Sequence, residues 1–295
     1  MIKSVGAGGA LLLSLAAAAQ AIQDLRTKES LVQSRSTFRP TWSERNSFLE
    51  IFVGRQRQDY QEFDTTGAAS NGILNTETGV QRHMGVAYRL QTSKGWLFHL
   101  QAQRQSGVTD YDGYLRQANG SLTPFRSTTG NFASQFVANI GYAIHAQTWS
   151  KVPENWQLAP LMQLGWHRWD RELEQYSEKY DFTSHSVGAL VQWHILPRTL
   201  FEAQALVGRT RPSRVRVSAL GFDAKQPGSN IRDLQFSISH DLTTIASESA
   251  VCWSVSARYT LSQSEHRASS VVNGLQAPPN QHSSRNWTFS LRRTF

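Results

Sequence analysis

Apolar and polar residues alternate along most of the chain from Ser47 onward, in segments of about ten residues. In the clearest segment, Phe136, Ile140 and Tyr142 fall on one side and Asn139 falls on the other. A period of two residues is that of a β-strand whose two faces have different surroundings. The pattern therefore predicts an all-β protein in which every strand has one apolar and one polar face.

Ten such strands are predicted, and the connections between them alternate in length. The strands are predicted at residues 47–60, 79–91, 96–108, 132–146, 156–169, 182–195, 200–210, 231–241, 250–262 and 286–295. The long connections are predicted at residues 61–78, 109–131, 170–181, 211–230 and 263–285. Five long and four short connections fit a closed antiparallel transmembrane β-barrel with short periplasmic turns, long extracellular loops and both termini in the periplasm.

Large aromatic side chains fall near the ends of the predicted strands. If the first strand runs outward, the rings near the periplasmic end are Trp96, Trp156, Trp193, Phe201 and Trp253. Trp and Tyr prefer the headgroup level of a bilayer. We therefore expect the apolar face of each strand to contact lipid and the polar face to line the lumen.

The N-terminus is typical of an exported protein. Lys3 precedes an apolar run over residues 5–19, and Ala19-Gln20-Ala21 has the small-x-small pattern of a cleavage site. The run is shorter than the roughly 20 residues that a membrane-spanning helix needs. We predict a cleaved signal peptide at residues 1–21, a periplasmic tail at 22–45 and the barrel at 46–295.

Composition narrows the possible partners. Charged residues make up 18% of the chain, against about 25% in soluble domains. The formal net charge of +8 is spread along the alternating strands, so for an exported chain anionic lipid is the expected partner rather than nucleic acid. The single cysteine, Cys252, excludes an internal disulfide, and without a Cys/His cluster we expect neither metal nor cofactor.

The C-terminal segment resembles the assembly signal of bacterial outer-membrane β-barrel proteins. Residues 287–295 alternate in polarity and end in Phe295. The resemblance implies an outer-membrane location and recognition of Phe295 by the barrel assembly machinery. It implies no particular activity.

One short motif, Asp110-Tyr111-Asp112-Gly113, is a candidate for catalysis. The ten-stranded omptin proteases are similar in strand count and use an Asp-x-Asp pair opposite an Asp-x-His pair. Asp110 and Asp112 match the first pair, but the sequence contains no Asp-x-His. We therefore expect a glycine-containing turn here and no enzymatic activity, with an omptin-like or lipid-modifying hydrolase as a remote alternative.

Charged residues on the predicted strands indicate what fills the lumen. The candidates are Glu50, Arg82, Arg89, Glu202, Asp233 and Arg258. Buried charges must be paired or solvated, and a ten-stranded barrel is close in size to the filled eight-stranded type. The sequence favours a plugged lumen, and the alternative is a small channel or transporter for polar solutes.

The fourth predicted loop is the most basic part of the chain. Arg211, Arg214, Arg216 and Lys225 lie there with only Asp223 among them. Guanidinium and ammonium groups bind phosphates, so these residues are candidates for contact with lipopolysaccharide. The sequence thus predicts a closed structural or surface-binding barrel that acts through its extracellular loops.

Overall fold

The computed structural model describes residues 41–69, 71–116, 121–145, 155–174, 176–242 and 252–295. The predicted signal peptide and most of the predicted tail lie outside these residues. In the described part, one short helix, α1 (Trp42–Arg45), precedes a single sheet. No helix there is long and apolar enough to cross a membrane.

The sheet is a closed antiparallel barrel of ten long strands. In chain order the strands are β1 Phe48–Phe63, β2 Ile73–Gln91, β3 Trp96–Arg116, β4 Leu122–Tyr142, β5 Ile144–His145, β6 Trp156–Leu173, β7 Tyr176–Leu196, β8 Thr199–Thr210, β9 Ser213–Val217, β10 Phe222–Gln226, β11 Asn230–Asp241, β12 Trp253–His266 and β13 Asn280–Thr294. All but β5, β9 and β10 belong to the barrel wall, and β13 pairs with β1 to close it. The predicted fold class and strand number are confirmed.

Most predicted loops at the extracellular end are strand instead. β1 continues to Phe63 and β3 to Arg116, and β6 and β7 are joined at residues 174–175. The strands extend because their ladders of paired residues continue above the predicted limits, although polar residues occupy both faces there. Only the connections at 211–229 and 267–279 are long at this end. The segment 110–113 is accordingly part of β3, and the expected turn there is wrong.

The two faces of the wall differ as predicted. Aliphatic side chains such as Met84, Val187 and Val207 point outward with about 60% of their surface exposed (64%, 58% and 59%). Ile140 is exposed and its neighbour Asn139 is buried. An apolar outer belt around a polar interior is the pattern of a barrel in lipid.

Aromatic pairs strengthen the periplasmic rim. Trp156 and Trp193 stack with ring centroids 5.3 Å apart, and Trp96 meets Tyr142 edge-on at 5.5 Å. Phe295 stacks on a ring of β2 beside the seam where β13 meets β1. The expected ring of aromatic residues is therefore present at the ends of these strands.

Helix α1 closes over the periplasmic end of the barrel. Its N-terminus has a capping box, in which Thr41 and Glu44 satisfy each other's backbone amides. Arg45 forms an ion pair with Asp241 at 2.9 Å, and Trp42 lies 4.3 Å from the ring of His194. The last residues of the predicted tail are thus packed against the barrel.

The β9–β10 hairpin extends the wall at the extracellular end, where β9 pairs with the first residues of β7. Val215 and Phe222 on its inner face pack with Tyr180 in a small apolar cluster. Val272, from the connection between β12 and β13, also contacts this cluster. These contacts hold the two long extracellular connections together.

Candidate functional site: the barrel lumen

Five charged side chains bridge the lumen near its periplasmic end. This lower network consists of Glu50, Arg89, Glu202, Arg258 and Arg292, each of them no more than 6% exposed. They project inward because each lies on the polar face of its strand, and β1, β2, β8, β12 and β13 bring their ends to one level. Sequence positions far apart are thereby placed in contact.

The lower network is continuous through its two carboxylates. Glu50 accepts from Arg258 at 2.6 Å and from Arg292 at 3.0 Å. Glu202 accepts from Arg89 at 2.5 Å and from Arg292 at 3.3 Å. Arg292 contacts both carboxylates. Each carboxylate is therefore bonded to two of the three guanidinium groups. Buried charges that are paired and hydrogen-bonded in this way satisfy the requirement for a low-dielectric interior.

A layer of amides lies beside the lower network on its periplasmic side. Asn46, directly after α1, donates to Gln91 at 2.7 Å and to Gln192 at 2.9 Å. Gln192 in turn donates to Glu202 at 2.7 Å. These side chains are almost fully buried. The amide layer and α1 together complete the periplasmic closure.

A second group of buried charges lies near the extracellular end. This upper network consists of Arg171 with three carboxylates, Glu62, Glu77 and Glu178. Arg171 bonds to Glu178 at 2.6 Å and to Glu77 at 2.8 Å, and its guanidinium lies 4.9 Å from the ring centre of Tyr60. It joins β1, β2, β6 and β7 across the lumen.

A polar cavity of about 280 Å³ separates the two networks. Eleven glutamines and four histidines line it within the part of the chain that the structure describes. Asp233 is the only carboxylate in this lining. Arg258 of the lower network forms part of one end, and Tyr60, Trp169 and Tyr180, below the upper network, form the other. The interior is therefore rich in neutral hydrogen-bonding groups.

The cavity adjoins a second space of about 780 Å³ at the extracellular ends of β8, β11, β12 and β13. Thr210, His266 and Asn280 line both spaces. We call the second space the portal, because exposed side chains border it on the outside. These are Arg209, Asn230, Glu265 and Arg267.

The structure places five of the six predicted lumen residues on the inner face of the wall. Glu50, Arg89, Glu202 and Arg258 are in the lower network, and Asp233 lines the cavity rather than joining that network. Arg82 is wrong as a lumen residue, because it lies on the outer face of β2, seven positions from Arg89. An odd separation along a strand places two side chains on opposite faces.

Several lumen residues were missed by the sequence prediction. Arg292 lies on the polar face of β13, at even separations from Thr288 and Thr294. This spacing identifies it as an inward-facing side chain. Arg171 and Glu77 lie in segments that were predicted to be loops. Extending the alternation past the predicted strand ends would have placed both on inward-facing positions.

The acidic pair of β3 is not arranged for chemistry in the lumen. Asp110 and Asp112 are exposed on the outer face, while Tyr111 between them points inward. Asp112 lies 3.0 Å from Arg126 in an exposed ion pair. The two carboxylates therefore do not face the polar cavity.

Three basic residues of the fourth connection, Arg214, Arg216 and Lys225, lie on the outer face of the β9–β10 hairpin, and Arg211 lies just before it. Arg214 holds Asp223 through two contacts of 2.9 and 2.5 Å, and its hydrogen bonds lower the pKa of that carboxyl. Arg216 pairs with Asp181 at 2.6 Å. Arg211 and Lys225 have no ion-pair partner among the described residues and are exposed.

Comparison with known proteins places the fold in one class. No protein-family model and no curated protein matches the chain. The outer membrane protease OmpT from Escherichia coli is similar in structure with a TM-score of 0.50 and 9% identity, over 86% of this chain and 99% of that chain. The translocator domain of the autotransporter NalP from Neisseria meningitidis covers 96% of this chain and 97% of its own, with 11% identity and a TM-score of 0.36.

The chain therefore has the fold of a bacterial outer-membrane β-barrel. At such low identity the likeness concerns the fold alone, because one barrel architecture serves unrelated activities.

Proposed function

We propose that the protein is an outer-membrane barrel that does not conduct ions and that acts by binding at its extracellular end rather than by catalysis. The lower network carries this proposal. Five charged groups, buried and bonded to one another, cross the lumen between strands on opposite sides of the closure seam. A hydrated ion passing this level would have to break contacts that compensate buried charge, which is costly.

The absence of an aligned pair of acidic groups in the lumen supports binding over hydrolysis. Of the described carboxylates, those of the Asp110 and Asp112 motif point away from the cavity, and those of the lower and upper networks are engaged by arginines. The remaining groups that could transfer a proton in the cavity are Asp233 and four histidines. No hydrogen bond joins Asp233 to any of these histidines in the part of the chain that the structure describes.

A small channel for polar solutes is the second candidate. The polar cavity and its portal favour it, because these two adjoining spaces occupy the extracellular half of the lumen. The two candidates differ at the lower network, which the channel hypothesis requires to open.

Conductance across a planar bilayer distinguishes the two candidates. The full-length mature protein, reconstituted from detergent, should insert without stepwise increases in current. The same preparation heated before addition controls for leakage caused by unfolded chains. Stable, uniform conductance steps from the unheated protein would reject the closed barrel in favour of the channel.

We also infer that export removes residues 1–21. The apolar run and Ala19-Gln20-Ala21 support cleavage after Ala21. N-terminal sequencing of the protein extracted from outer membranes should begin at Ile22. Recovery of Met1 from that fraction would contradict the inference.

We propose anionic lipid phosphates, as in lipopolysaccharide, as the partner of the β9–β10 hairpin. Arg211 and Lys225 support this proposal, since both are exposed cations at the extracellular rim. Arg214 and Arg216 are already engaged by Asp223 and Asp181 and contribute less free charge.

A further inference from the structure

Several buried polar groups that line the polar cavity lack hydrogen-bond partners among the described residues. Gln58 is 1% exposed, yet its amide nitrogen has no hydrogen-bond partner among the described residues. The same holds for one polar atom in each of five other cavity-lining residues. These are His99, Asn139, Arg258, His266 and His282. Buried polar groups in folded proteins are almost always bonded, so the hydrogen-bonding capacity of this lining exceeds what the described residues themselves satisfy.

The chemistry of the lining selects the kind of molecule. A glutamine amide presents two donors and one acceptor without net charge. A hydroxyl group both donates and accepts at one oxygen, so closely spaced hydroxyls match an array of amides. Charged ligands are disfavoured, because Asp233 is the only carboxylate among the described lining residues and both lining arginines are already paired. Arg258 is paired with Glu50, and Arg168 is paired with Asp170.

The size and access of the cavity fit a small ligand. Its volume of about 280 Å³ is close to the lower end of the roughly 300–1,000 Å³ that is usual for small-molecule sites. Between the cavity and the portal lies Ser229, whose hydroxyl is 3.3 Å from Thr210 and 3.4 Å from His266. The lower network closes the opposite side. The cavity is thus closed toward the periplasm, and among the described residues Thr210, His266 and Asn280 line both the cavity and the portal.

We propose that this cavity is a binding site for a small, neutral, polyhydroxylated molecule of monosaccharide size, which enters through the portal. Gln204 and Gln235 carry much of the recognition. They face each other across paired strands β8 and β11 and line the cavity. The proposal goes beyond the closed-barrel function, because binding and conductance are measured separately and either one holds without the other.

Saturation-transfer difference NMR on the full mature protein tests the site. The probes are D-glucose, D-galactose and N-acetyl-D-glucosamine, and the protein is kept in an amine-oxide detergent so that no sugar headgroup competes. For at least one sugar, the transferred saturation should reach a plateau as the sugar concentration is raised, as expected for a limited number of sites. Absence of transfer from all three, or transfer only from added charged amino acids, would overturn the proposal.

A matched pair of variants locates the binding. Gln204→Leu with Gln235→Leu removes two amides from the cavity, and Gln61→Leu makes the same change on the outer face of β1. Each lost hydrogen bond weakens binding by a factor of roughly two to ten, so the double variant should bind at least about fivefold more weakly and Gln61→Leu should bind normally. Equal affinity in all three proteins would overturn the proposal. Folding is verified by heat-dependent gel mobility, and if the double variant fails to fold, each single variant is expected to show the smaller loss.

The portal is tested by blocking it. In a Cys252→Ser background, Asn230→Cys places a thiol on the exposed border of the portal. Attachment of a bulky maleimide should slow sugar binding at least about tenfold relative to the unmodified Asn230→Cys protein. Unchanged binding after complete modification would reject this route.

Discussion

At single positions, the face of the strand determines what a substitution costs. Ile140 is 36% exposed on the outer wall of β4, whereas Asn139 is 8% exposed and bonded to His99 at 3.1 Å. A one-residue step along a strand therefore changes the surroundings from lipid to polar cavity.

Ile140→Arg should destabilise the barrel, because a charge on the lipid face is poorly solvated. The loss should be below the roughly 2–4 kcal/mol expected at the bilayer midplane, since Ile140 lies two residues from Tyr142 at the periplasmic rim. Asn139→Arg is the matched control and should cost less, since the new guanidinium reaches the cavity. Reversible unfolding by denaturant in lipid bilayers measures both. A larger loss at Asn139 than at Ile140 would show that the assigned faces are wrong.

At the scale of elements, the terminal strand is the one whose loss affects the whole barrel. β13 pairs with both β12 and β1, and Phe295 follows it at the seam with 50% of its surface exposed and its ring 5.6 Å from that of Tyr88. The exposed ring is available to a partner during assembly and does not form part of the polar interior.

Deletion of Phe295 should reduce the amount of folded protein in the outer membrane without reducing export to the periplasm. Phe289→Ala removes a ring from the same face of β13 away from its end, and it should assemble close to normally. Immunoblots of heated and unheated membrane fractions distinguish folded from unfolded chains. Normal levels of folded protein without Phe295 would contradict its role as an assembly signal.

The β9–β10 hairpin is the element expected to contact lipid phosphates. Arg211→Ala with Lys225→Ala should lower binding to lipopolysaccharide-containing vesicles and weaken its dependence on salt, because two exposed cations are removed. Arg214→Ala is the control, as that side chain is paired with Asp223. Vesicle co-sedimentation at two salt concentrations measures the effect. Equal losses in the two proteins would indicate that net charge alone matters.

At the scale of the whole molecule, the lower network and the portal determine whether a continuous path exists. The portal lies at the exterior and adjoins the cavity in the middle of the lumen, with Thr210, His266 and Asn280 bordering both. Among the described residues, the lower network, the amide layer and α1 separate the cavity from the periplasmic end. The closed state of the barrel therefore depends on contacts between β1, β2, β8, β12 and β13.

Replacing both Glu202 and Arg258 by Ala should open a measurable conductance in an otherwise silent barrel. The change removes contacts to Arg89, Arg292 and Glu50 at once. An exposed ion pair on the outer wall provides the control, in which Arg57 and Asp59 are both changed to Ala. Planar-bilayer recordings compare the three proteins. A silent double variant would show that Glu202 and Arg258 are not what blocks the lumen.

The sequence by itself determined the strands, their faces and their closure into a ten-stranded barrel. Alternation is a local property, since successive side chains of any strand point to opposite faces. It placed Ile140 outside and Asn139 inside, and the same rule excludes Arg82 from the lumen once Arg89 is placed there. The strand ends were underestimated where polar residues continue on both faces near the extracellular end.

Only the tertiary structure decided which inward-facing charges meet. Glu50 lies 208 positions from Arg258 and 242 from Arg292 in sequence. Their contact depends on the register of every intervening strand pair and on the closure of β13 against β1, which set the height of each residue in the lumen. For the same reason the upper network around Arg171 and the cavity between the two networks could not be predicted. Alternation shows that a side chain points inward. The register of the strands around the barrel determines which other side chain it contacts.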